Sequence, residues 1–254
     1  MAYLGWGRGS KYHQFKKADW SLSIRNVAFL HERAAPAAAP ASYAKGVERT
    51  IRRIQAGQDL KILLLGDSIT AKGGNRSHAF FMAERLRSNF GVSAEISNQA
   101  VNGHSIGGGE VVLDRSLAQM PDPDLVVIFY GANDAKAIEH GLSEAGFQSQ
   151  LEHFIDRVRL KTGGQSDILL LSGVPRLNKA RSASTGLIEQ IVAGAQAAAE
   201  SRETGYLDTF SVYQQLKPTD WRTYYKDTIH QNEAGLQFIG ELMFEFLADA
   251  DADR

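Results

Sequence analysis

The sequence predicts an α/β protein with a central parallel sheet of about five strands, helices on both faces and an extra N-terminal arm. Three observations carry the prediction. Short, almost purely apolar runs recur at residues 60–65, 125–130 and 168–171, the pattern of strands buried on both faces. Amphipathic helical stripes alternate with these runs. The connections are short, so strand–helix–strand units cross over the sheet as parallel topologies require.

In chain order, residues 1–33 stand apart. They carry Tyr3, Trp6, Tyr12, Phe15, Trp20 and Phe29 among basic residues, and the alternation over 20–24 marks one half-buried strand. Such aromatics either bury area or stack on sugar rings. Residues 34–41, with Pro36 and Pro40, read as a linker. Ser42 is positioned to cap a helix running toward Gln55, with Gly57 in the left-handed position after it. Residues 60–65 form the first strand. Ser77 is positioned to cap a helix with the stripe Ala79, Met82, Ala83, Leu86 and Phe90, ended by Gly91, and 92–101 holds a weaker second strand. Residues 125–130 form the most apolar strand. A helix follows on Phe147, Leu151, Phe154, Ile155 and Val158, closed by Gly163 and Gly164. Residues 168–171 are the fourth strand, 187–199 a helix and 206–210 the fifth strand. Asn232 caps a last helix with the stripe Leu236, Ile239, Met243, Phe246 and Leu247. The chain therefore divides into 1–57, an arm, linker and helix, and 58–254, the main domain.

Composition narrows the function. Charged residues at 22% and hydrophobic ones at 43%, with a formal net charge of -1, leave no basic field for nucleic acid. No run approaches the roughly 18 to 20 apolar residues of a membrane helix, and residues 1–10 lack the pattern of a signal peptide. The location is left open: cytoplasmic as written, secreted or periplasmic if Met1 is not the native start. Cysteine is absent, and the seven histidines show no His-Glu-x-x-His spacing, so neither a metal nor an organic cofactor is implied. The glycines of 103–109 lack the ending of a phosphate-binding loop.

The chemistry sits at the predicted strand ends. Gly66-Asp67-Ser68 places a serine at the end of the first strand, in the crevice where open α/β sheets bind ligands. As a nucleophile, Ser68 needs a base, an orienter for that base and donors for the oxyanion. Asp227-x-x-His230 supplies base and orienter just before the last helix. Gly131-Ala132-Asn133-Asp134 follows the most apolar strand and offers the Asn133 amide. Gly103 offers a backbone N–H after the second strand, and Ser68 offers its own.

In these blocks, taken in order, the sequence resembles the SGNH hydrolases, the GDSL esterase/lipase family. The resemblance spans about residues 60 to 250 and does not reach 1–57. It implies a flavodoxin-like three-layer α/β/α sandwich, a triad of nucleophile Ser68, base His230 and orienter Asp227, and an oxyanion hole of Ser68, Gly103 and Asn133. Gln231 and Thr228 depart from residues frequent in the family, which concerns the local turn and not the chemistry.

One rival lies inside the same chain. Gly103-x-Ser105-x-Gly107 fits the nucleophile elbow of α/β-hydrolases, but the run before it is polar and no oxyanion motif precedes it. The glycine-rich stretch then reads as a flexible loop beside the site. The expected function is a serine esterase removing short acyl groups, acetyl foremost, from carbohydrates. An O-acyltransferase with a sugar hydroxyl as acceptor and a non-catalytic carbohydrate-binding module are the alternatives. The expected partner is a small acyl ester or acylated carbohydrate, with no nucleic acid; a homo-oligomer is left open.

Overall fold

The computed structural model describes residues 42–177, 183–184, 186–216 and 218–249. The expected arm strand at 20–24 and the linker at 34–41 lie outside them. Strands β1 (Leu60–Gly66), β2 (Ala94–Asn98), β3 (Leu125–Phe129), β4 (Asp167–Leu171) and β5 (Gly205–Leu207) form one all-parallel sheet in the order β2-β1-β3-β4-β5. The order reverses between β1 and β3. At such a switch point the loops leave in opposite directions and open a crevice at the carboxyl ends of the strands.

Six long helices cover the sheet: α1 (Glu48–Gln55), α2 (His78–Phe90), α3 (Ile106–Gln119), α4 (Glu144–Lys161), α5 (Leu187–Arg202) and α6 (Glu233–Asp249). Helix α4 packs on α3 and α5, and α6 packs on α1 and α2, which gives three layers. Strand side chains alternate between the two outer layers. Leu63, Leu65, Val126, Ile128, Ile168 and Leu170 share a core with Phe147, Leu151 and Phe154 of α4 and Ile188 and Ile191 of α5. The intervening Ile62, Leu64, Val127, Phe129, Leu169 and Leu171 are equally buried, and Phe129 meets His78 of α2 edge-on at 5.7 Å. Burial on both faces is why these strands read as continuous apolar runs; truncating one such leucine to alanine costs about 2–5 kcal/mol.

Ser77 precedes α2 but its hydroxyl makes no cap bond to it, and three further local readings are corrected. Ser42 does not cap α1: its hydroxyl accepts from the N–H of Asp208, and the start of α1 is held instead by Asp167 of β4, whose carboxylate accepts from Thr50 N at 2.7 Å and Arg49 Nε at 2.9 Å. A cap supplied from across the fold leaves no local signature. The fifth strand stops at Leu207, because Asp208 accepts from Ser211 N and starts a helix, Thr209–Gln215, that takes Phe210. Tyr43 lies along the β5 edge, exchanging backbone hydrogen bonds with Tyr206 at 3.0 Å.

The third correction concerns the glycine-rich stretch, which is helix from Ile106 onward and not a flexible loop. Its glycines answer to packing. A Cβ on Gly109 would lie 2.5 Å from the Tyr130 hydroxyl, and one on Gly108 would lie 2.7 Å from the His104 ring. Glycine is tolerated in this helix because its absent side chain lets the helix approach the sheet. Gly109→Ala, a substitution that stabilises an ordinary helix, is therefore expected to cost about 1–3 kcal/mol here, read as a lower urea midpoint; a raised midpoint would show that Tyr130 moves aside freely.

Candidate active site

β1 ends at Gly66, where a Cβ would meet the Phe129 carbonyl at 2.8 Å and the Thr70 hydroxyl at 2.9 Å. The chain then turns into a single helical turn, Ser68–Ala71, capped by Asp67 through Ile69 N at 2.9 Å. The other Asp67 oxygen accepts from Ala132 N at 3.3 Å, fastening the serine turn to the loop after β3. Burial leads in pushing the Asp67 carboxyl up to about 7, and the charge of Asp134 adds to it.

Beneath this turn His78 is fully buried, with Nε2 3.2 Å from the Thr70 hydroxyl. Burial holds its ring down at about 4, below its ordinary value of 6.5. Below pH 6.5 the unfolded chain takes up a proton that the folded state refuses, so His78 subtracts stability as pH falls toward 4. Asp67 and Asp134, with raised values, act in the opposite direction. Comparing urea unfolding of wild type and His78→Gln isolates the histidine: the advantage of wild type should shrink by about 2 kcal/mol between pH 7.5 and 5. An advantage independent of pH would rule the titration out.

Ser68 is almost buried, and its Oγ lies 2.9 Å from Nε2 of His230. The ring comes from the loop before α6. Asp227 shapes that loop: one carboxylate oxygen accepts from the N–H groups of Ile229 and His230 at 2.8 Å, and the other lies 2.8 Å from His230 Nδ1. An aspartate bonding its own downstream backbone is a turn-forming device, so the loop closes with Thr228 and Gln231 in place. Burial works against the Asp227 charge, but the N–H donors of His230 and Ile229 and the ring outweigh it and hold the carboxyl at about 2. Asp227 therefore stays ionised across the range in which a histidine titrates.

Asn133, just past β3, donates to the His104 carbonyl at 3.0 Å through Nδ2, which leaves its second amide hydrogen for another acceptor. Asp134 accepts from Ile106 N at 3.0 Å, and its carboxyl is raised to about 6, chiefly by burial. Asn133 and Asp134 thus tie the loop after β3 to the segment that begins at Gly103. Gly103 adopts φ +79, a backbone geometry that side chains resist. Among the described residues, neither Ser68 N nor Gly103 N has a hydrogen-bond acceptor. Ser105 stands at the start of α3, well after the end of β2, and its hydroxyl is bonded to no histidine among the described residues. The strand-to-helix elbow expected of a nucleophile there is not formed.

Sequence reading missed Lys72. Its ammonium lies 3.1 Å from His230 Nδ1, and the signal was its position four residues after Ser68, one helical turn on. Among the described residues no group of three or more His, Cys, Asp or Glu is arranged to hold a metal, and no helix is long and apolar enough to cross a membrane.

A doubly wound α/β/α sheet with serine, histidine and carboxylate in sequence at its switch point has the layout of a hydrolase. Comparison with known proteins makes the class specific. The chain belongs to the GDSL-like Lipase/Acylhydrolase family, whose model matches residues 64–238, and it is a carboxylic ester hydrolase. Solved structures share the fold at low identity. A lipase/acylhydrolase from Enterococcus faecalis is 23% identical with TM-score 0.61, covering 75% of this chain and 96% of its own. A putative GDSL-like lipase from Parabacteroides merdae is 18% identical with TM-score 0.62 over 75% and 96%. An acetylxylan esterase from Geobacillus stearothermophilus is 17% identical with TM-score 0.59 over 77% and 96%. No curated protein matches.

Proposed function

We propose that this esterase removes short acyl groups, acetyl foremost, from carbohydrate hydroxyls by way of a Ser68 acyl-enzyme. The carrying observation is the unbroken string from Ser68 Oγ through the His230 ring to Asp227, with 2.9 Å and 2.8 Å links. His230 Nε2 takes the proton of Ser68 as the oxygen attacks the acyl carbon, and returns it to the departing alcohol. Water then repeats the sequence to free the acid. Asp227 holds Nδ1–H and stabilises the imidazolium. The oxyanion is received by Ser68 N–H, Gly103 N–H and the amide hydrogen of Asn133 not used by His104. Asn133→Ala is expected to lower kcat by about 10²- to 10³-fold with little change in KM, measured on p-nitrophenyl acetate; a purely KM effect would place Asn133 in substrate binding.

The short-acyl preference draws on the acetylxylan esterases among the structural neighbours. Turnover of p-nitrophenyl acetate, octanoate and palmitate, set beside acetate release from acetylated xylan, tests it. Acetate should be the best of the nitrophenyl series and xylan should lose acetate; a maximum at palmitate sinks the reading.

A further inference from the structure

Lys72 follows the serine turn, is exposed, and points its ammonium at the face of the catalytic base that Ser68 does not use. Among the described residues it has no carboxylate partner. Nearby charged groups are bonded elsewhere or to the ring itself. Asp227 gives its oxygens to the ring and to two N–H groups, and Arg76 is paired with Glu233 at 2.5 Å. Asp67 and Asp134 are turned to Ile69, Ala132 and Ile106. When His230 accepts the serine proton, two cations stand side by side. The two cations then share the single carboxylate of Asp227, and an anion arriving with the substrate would pair with the second of them.

The mechanism says where that anion sits. The departing oxygen takes its proton from Nε2, so the alcohol lies over the imidazole, whereas the acyl oxygen lies toward Gly103 and Asn133. A group reaching Lys72 therefore belongs to the alcohol. One ammonium with no accompanying arginine fork suits a single carboxylate better than a phosphate, which gathers several donors. Resting on the esterase reading above, we propose that Lys72 selects esters whose alcohol carries a carboxylate, in a carbohydrate an acidic sugar.

The test compares kcat/KM for meta-acetoxybenzoate and its neutral methyl ester, each divided by the hydroxide-catalysed rate of the same ester. Wild type, Lys72→Met, Lys72→Arg and Ser68→Ala are measured at low salt and in about 0.5 M NaCl. Wild type should favour the carboxylate ester by about tenfold at low salt, with the ratio falling toward one in high salt. Lys72→Met should bring the ratio near one, and Lys72→Arg should restore most of it. Ser68-dependent turnover with no preference in wild type, or a preference that survives Lys72→Met, overturns the role of Lys72 alone. No Ser68-dependent turnover of either ester overturns the Ser68 acyl-enzyme reading, and this selection with it.

Discussion

Ser68→Ala is expected to lower kcat by roughly 10⁵- to 10⁶-fold while leaving the fold and the urea midpoint nearly unchanged. The loss is large because one oxygen supplies both the attacking atom and the leaving group of deacylation, and no neighbouring group can replace it. The residual rate would reflect the oxyanion donors and substrate positioning, which alanine leaves in place. Labelling with a fluorophosphonate, followed by intact mass, gives a readout independent of any substrate. Wild type and Ser105→Ala should each gain one adduct and Ser68→Ala none. Labelling lost in Ser105→Ala and kept in Ser68→Ala would move the nucleophile to the start of α3, and the assignments of Gly103 and Asn133 would fall with it.

Asp227→Asn is expected to cost about 10⁴-fold in kcat at neutral pH. The change is nearly isosteric, and the remaining carboxamide oxygen can still accept from Ile229 and His230, so the loop should keep its shape. What changes is the proton. An amide nitrogen facing Nδ1 is a donor, which forces the ring into the tautomer with its proton on Nε2, where it can no longer accept from Ser68. The measurement is kcat on p-nitrophenyl acetate together with near-ultraviolet circular dichroism. A loss under about tenfold would mean that Asp227 does little beyond folding its loop.

Much of this architecture was legible in the sequence because the signals were local. The strands announced themselves by apolar runs, Gly91 ends α2 at φ +72, and Asn232 caps α6 by accepting from Gly235 N. The glycine, serine, asparagine and Asp-x-x-His blocks fall at strand ends or before a helix, and Ser68, His230 and Asp227 are brought together in space. What escaped the sequence was long-range. Asp167 capping α1 joins residues more than a hundred positions apart. The glycines of α3 look like a loop until Tyr130 is known to press on them, since composition cannot reveal which neighbour fills the missing side chain. Lys72 was passed over because its meaning lies in a ring 158 positions later in the chain.

The proposed base and nucleophile belong to different layers. Ser68 rides on β1, whereas His230 hangs from the entry of α6, and α6 is seated on α2 at Gly240, where an added Cβ would come within 2.4 Å of the His78 carbonyl. Arg85 reinforces the seam, reaching Glu241 at 3.1 Å and lying 4.9 Å over the Phe244 ring. The reach between Ser68 and His230 is thus gauged by a helix crossing beneath the serine turn. Thickening that crossing by one methyl group would push the whole helix outward, carrying the imidazole away from a serine turn that stays where the sheet holds it. A defect at this crossing would appear as lost turnover in a protein that still looks folded.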